Sequence, residues 1–184
     1  MNLPSTSSNN WHSAQCTLLL KAAICVFPLL AAFAFLSSAE AQQVPEGWRR
    51  PTRAETLQKW RMKSVTRFLS VKGDFDGDGK PDLAELLIKR SVSDYALFVW
   101  LSSSRSRSPQ SIWEGGLANI GIKLVHPGRY ETLCNSDPSE CDPRTPTKID
   151  LKNDGVEFFS YGMTRSFVFW DKEAKKFQWV PIGD

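Results

Sequence analysis

Gly73-Asp74-Phe75-Asp76-Gly77-Asp78-Gly79-Lys80-Pro81-Asp82-Leu83-Ala84 sets aspartates at alternate positions, with Gly79 after the third and Asp82 closing the run. A hard divalent cation such as Ca2+ takes about six to eight oxygens at roughly 2.3–2.6 Å. A sharply turning loop can supply them from its first, third, fifth, seventh and ninth positions. Asp74, Asp76 and Asp78 fill the first three. Lys80 offers its backbone carbonyl, and Asp82 fills the ninth, directly or through water. Gly79 permits a turn that a side chain would resist. Without a cation, these carboxylates would repel one another.

The flanks of this run decide the fold. Arg67-Phe68-Leu69-Ser70-Val71-Lys72 alternates and reads as a short strand entering the loop. Glu85 stands at position 12, so the run also satisfies the EF-hand pattern. The exit, Leu83-Ala84-Glu85-Leu86-Leu87-Ile88, leaves helix and strand open. The segment 73–84 resembles the calcium loop of FG-GAP and VCBS-type repeats. That resemblance implies a strand–loop–strand setting and a bound Ca2+. The chain carries one copy of the loop and no repeat period.

Outward to the N-terminus, Lys21 precedes an apolar run over residues 22–36. That is shorter than the about 20 residues a membrane span takes. Ser37-Ser38-Ala39-Glu40-Ala41 follows, a small-residue cleavage site. Residues 1–41 are expected to be a secretory signal, and 42–184 a single calcium-binding, β-rich domain released to the periplasm or medium. No membrane span is expected after cleavage. The net charge is +3, and losing Lys21 and Glu40 leaves it unchanged. So mild an excess does not imply nucleic-acid binding. Cys134 and Cys141 are the cysteines left after cleavage, and an oxidising compartment pairs them as a disulfide. So short a ring is worth roughly 2–3 kcal/mol. Two cysteines with only His126 nearby make a poor zinc site.

Toward the C-terminus the chain reads as strands and turns. Thr52-Arg53-Ala54-Glu55 has capping-box spacing, and one short helix is expected over about residues 53–63. Tyr95-Ala96-Leu97-Phe98-Val99-Trp100-Leu101 reads as a buried strand, joined as a hairpin to the residues after the loop. Further strands are expected at 111–114, 120–125, 148–151, 156–159, 166–170 and 176–180. Asn153-Asp154-Gly155 is expected to turn 148–151 back onto 156–159. The expected fold is mainly β: an antiparallel curled sheet, sandwich- or barrel-like, with one short N-terminal helix.

No catalytic constellation stands out. His126 is the only histidine after residue 41, and neither a nucleophile elbow nor a phosphate-binding glycine loop appears. The functional expectation is a non-enzymatic binding module whose partner is another envelope or secreted protein. It would serve as an inhibitor or immunity protein against a cell-wall hydrolase or effector. A cell-surface or glycan-binding module is the alternative, and a hydrolase comes behind both. The segment Tyr161-Gly162-Met163-Thr164-Arg165 and the tryptophans could serve either binding role, although core packing suits most of those rings.

Overall fold

The computed structural model describes residues 42–182 except 107, 117, 118, 138, 140 and 143. The expected signal, residues 1–41, lies outside them. Residues Gln42–Asp184 form one compact unit. The first sheet holds β1 (Trp48–Arg49), β2 (Ser70–Gly73), β3 (Asp82–Lys89), β4 (Tyr95–Trp100) and β5 (Gln110–Gly115). β3 is its axis. β4 runs along one side, while β2 and β1 share the other, β2 pairing over Asp82–Glu85 and β1 over Ile88–Lys89. The second sheet has the order β11-β10-β9-β6, with β6 (Ile120–Val125), β9 (Gly155–Ser160), β10 (Arg165–Asp171) and β11 (Lys176–Ile182). β7 (Gly128–Glu131) and β8 (Lys148–Leu151) form a separate ribbon. Among the described residues every pairing is antiparallel and no barrel closes. The architecture is β-sandwich-like.

Strand alternation explains the layers, because successive side chains point to opposite faces. Ala84 and Leu86 of β3, with Leu97 and Val99 of β4, face the second sheet and meet Ile120, Ile122, Val156, Phe158 and Val168. The residues between them, Leu83, Leu87, Ala96, Phe98 and Trp100, face outward under Val44 and Trp48 of the lead-in. The second sheet is also covered on both faces. Phe167, Val180 and Ile182 pack with Ile149 and Leu151 of the ribbon. Burial on both faces is why β3 and β4 read as continuous apolar runs rather than alternating ones.

Three local expectations change. Residues 53–63 form two 3-10 turns, Ala54–Thr56 and Arg61–Lys63, not one helix. The capping-box bonds do form: the Thr52 N–H and hydroxyl both donate to Glu55 Oε2 at 2.8 Å. Arg61 breaks the helical run, because its buried guanidinium donates to the carbonyls of Arg67 (3.1 Å) and Ile120 (2.6 Å). The α-helix is α1, Leu133–Ser136, which carries one half of the Cys134–Cys141 disulfide. The strand expected from residue 67 begins at Ser70, since Arg67 and Phe68 take left-handed φ values of 55° and 58°. Asn153-Asp154-Gly155 does not make a hairpin. β8 pairs with β7, while β9 pairs with β6 and β10. The Asp154 side chain reaches across to the acidic loop instead.

Candidate metal centre and aromatic cleft

The acidic loop spans 74–81 between β2 and β3, so its setting is strand–loop–strand. One carboxylate oxygen each from Asp74, Asp76 and Asp78 lies within 4.8 Å of the others. The loop backbone wraps around Asp74. Its Oδ1 accepts the N–H of Gly77 (2.8 Å) and of Asp78 (3.0 Å), and its Oδ2 accepts that of Gly79 (3.0 Å). Asp76 Oδ1 accepts the Asp78 N–H at 3.2 Å, and Asp78 Oδ1 accepts the Lys80 N–H at 2.8 Å. Aspartates that accept from backbone two to five residues ahead fold such a turn locally. Gly77 has φ +75°, which favours glycine, and a Cβ there would displace the Asn153 side-chain amide, whose Oδ1 would lie 2.7 Å away.

Neighbouring segments brace the loop. After β4, the hydroxyl of Ser102 donates to Asp78, and that of Ser103 to Asp76. Before β9, Asp154 Oδ2 accepts the Asp74 N–H at 3.0 Å, and the Asp154 N–H returns to the Asp74 carbonyl at 3.1 Å. His126 Nδ1 lies 3.1 Å from Asp154 Oδ1. Segments from both sheets therefore converge on one end of the sandwich.

The other expected ligands separate. Asp82 is buried at the start of β3. Its Oδ2 accepts the Phe75 N–H at 2.8 Å and its Oδ1 the Ser102 N–H at 2.7 Å. Burial pushes its carboxyl up, and those two donors pull it back. Glu85 sits mid-strand opposite Ser70, where Arg50 Nε and Nη2 grip its carboxylate at 2.8–3.2 Å. Neither Asp82 nor Glu85 joins the triad. Lys80 extends its ammonium to 3.8 Å from Asp78 Oδ2.

A second feature occupies the opposite end of β9. A cleft of about 420 Å3 is lined by Trp60, Phe68, Phe159, Tyr161 and Met163, with Lys63, Lys123, Glu157 and Arg165 among its polar residues. Trp60 stacks on Tyr161 with centroids 4.9 Å apart and on Phe68 at 5.7 Å, and meets Phe159 edge-on. The Arg61 guanidinium lies 4.3 Å from the Trp60 ring. Lys123 Nζ lies 4.8 Å from the Phe159 ring and 3.4 Å from Glu157 Oε1. Gly121 makes room for the floor, since a Cβ there would meet the Phe159 ring at 2.5 Å.

Sequence reading missed the braces, and of the cleft it marked only the segment Tyr161 to Arg165. Ser102 and Ser103 follow a strand in a serine-rich run that reads as ordinary loop. Asn153 and Asp154 carry the strongest hairpin signal in the chain and are used otherwise. Phe68, Lys123 and Phe159 sit on segments that read as sheet, and nothing local marks them as one surface. Comparison with family models, with curated proteins and with solved structures gives no match.

Proposed function

We propose that this chain is an exported, calcium-stabilised, non-enzymatic binding module that acts on another envelope or secreted protein, as an inhibitor or immunity protein against a cell-wall hydrolase or effector. The observation that supports it is the convergence of Asp74, Asp76 and Asp78 on a strand–loop–strand turn. The donor set is all oxygen, as a hard dication requires. These three carboxylates would hold the ion, with the Lys80 carbonyl beside them. The ion supplies positive charge that relieves their mutual repulsion. Ser102, Ser103 and Asp154 then tie that turn to β4 and β9, so holding it holds one end of the sandwich.

The test is a melting curve in excess EDTA and then in millimolar Ca2+. At a calcium concentration about 100 times Kd, and with no binding to the unfolded chain, stabilisation is about 2.7 kcal/mol. For a domain of this size that is roughly 5–10 °C of Tm. Asp76→Ala and Asp78→Ala should abolish most of it. Equal melting in both buffers removes calcium from this reading. A search for the partner by inhibition of cell-wall hydrolases tests the second half, and glycan hydrolysis by the chain itself would overturn it.

The cleft gives the glycan alternative its one supporting observation. Sugar rings stack on exposed indole faces, however, and Trp60 is 8% exposed between Tyr161, Phe68 and Arg61. A protein partner fits better.

A further inference from the structure

We infer that the Trp60–Met163 cleft and its rim are the docking surface for an acidic segment of a partner protein carrying one large apolar anchor residue. The inference rests on the binding-module reading and not on the metal.

Two exposed apolar side chains stand together on the rim of this cleft. Among the described residues, the large hydrophobics that stand exposed are Leu57, Met62, Val65, Val92, Tyr161, Met163 and Trp179. Of these, Tyr161 and Met163 line the cleft, and Tyr161 stacks on Trp60 across it. Clustered apolar exposure of this kind marks interaction sites, whereas single exposed residues are ordinary. Tyrosine and methionine are also residues that protein interfaces favour. A cavity of about 420 Å3 holds one large side chain with space for its neighbours.

Charge selects the occupant. Residues 52–68 carry Arg53, Lys59, Arg61, Lys63 and Arg67 against the single acid Glu55. Arg53, Lys59 and Lys63 are exposed, while Glu55 is bound by Arg49 at 2.7 Å. Within the cleft, Lys63 is exposed, and the one lining acid, Glu157, pairs with Lys123 at 3.4 Å. The segment beside the apolar floor thus carries an excess of positive charge, with Lys63 at the cleft itself. Carboxylates on either side of an apolar anchor complement that pattern, and they would steer association in a salt-dependent way. The anchor enters between Phe68, Phe159 and Tyr161, where burial of its apolar surface drives binding.

The turn carrying Tyr161 and Met163 is set for presentation. Tyr161 N–H donates to the Asn119 carbonyl and Met163 N–H to the Ser160 carbonyl, both at 2.9 Å, with Gly162 at φ +77°. Both side chains are thereby displayed on a fixed backbone, which lowers the ordering cost of binding.

The experiment titrates the 15N-labelled full chain with a dodecapeptide of glutamate and glycine around one central tryptophan. Parallel arms use the same peptide with alanine for tryptophan, with glutamine for every glutamate, and a hexamer of N-acetylglucosamine. The acidic, anchored peptide should shift the amides of Lys63, Phe68, Lys123 and Tyr161 to Arg165. Either peptide change should weaken binding at least tenfold, as should raising the salt to molar. Lys63→Glu and Met163→Glu, both at exposed positions, should each weaken it at least tenfold with Tm unchanged. No shifts at millimolar peptide, equal binding of the glutamine peptide, or tighter binding of the glycan would each overturn the inference. An inhibited hydrolase indifferent to both variants would overturn it too and leave the binding-module reading standing. All arms run in EDTA and in calcium, so loss of the metal assignment remains a separate result.

Discussion

The two ends of β9 are built in opposite ways. At its start, the acidic loop gathers three carboxylates from five consecutive residues, Asp74 to Asp78, and satisfies them with backbone N–H groups of the same turn. At its end, the cleft takes Trp60 and Phe68 from an irregular segment, Lys123 from β6 and Tyr161 and Met163 from a turn. The first is a local structure that the rest of the fold braces. The second has no existence until the fold is complete. A local site fails locally, by losing one turn and whatever it holds. A composite site fails whenever any contributing segment shifts.

Arg61→Ala should give the largest effect and should fall on the composite end. It strips the carbonyls of Arg67 and Ile120 of their donors and removes the cation above Trp60. Unsatisfied buried acceptors and lost packing together predict about 3 kcal/mol, read as a lower denaturant midpoint. A loss under about 1 kcal/mol would mean that these bonds do not anchor residues 53–68. Next come two glycine substitutions that separate the ends. Gly121→Ala drives a methyl group against Phe159 and should cost about 1–3 kcal/mol, while leaving the calcium shift in Tm intact. Gly77→Ala should cost a similar amount through its left-handed backbone and Asn153, and should lose the calcium shift instead. If each variant damages both ends, the contrast between local and composite sites is wrong.

Glu85→Gln should have a smaller effect. It breaks an ion pair whose Arg50 side is half exposed, worth about 0–1 kcal/mol. It should leave the calcium response untouched, whereas EF-hand-like coordination would lose most of it. The smallest effect concerns pH. Arg49 and Thr52 hold the Glu55 carboxyl down at about 2 from its ordinary 4.5. A depressed carboxyl stabilises the fold above its unfolded value, and that contribution fades as pH falls from about 4.5 toward 2. In Glu55→Gln, Tm measured at pH 6 and pH 3 should fall slightly less than in the parent.

The same contrast explains what the sequence made legible. β4, β6 and β8 to β11 show in their apolar runs and alternation, because each strand's burial is written in its own residues, whereas the apolar run of β3 left helix and strand open. The acidic loop shows for the same reason, as spacing alone sets its geometry. The helix expected over 53–63 failed because the Arg61 bonds reach residues that no local pattern reveals. Asn153-Asp154-Gly155 failed similarly. Its turn propensity is real, but β6 outcompetes β8 for the strand that follows. Of the cleft only the turn from Tyr161 to Arg165 was legible, because Trp60, Phe68 and Lys123 meet it only in the completed fold.

The bond from the Asp74 N–H to Asp154 joins residues 80 apart in the chain, and that from Arg61 to Ile120 joins residues 59 apart. Neither can form until most of the chain has been made, and each closes a long loop whose entropy is lost before any contact repays it. Contacts so distant in sequence place the protein among domains that fold in about milliseconds to seconds rather than microseconds. Until those contacts close, the inward faces of β3 and β4 lack the second sheet that covers them.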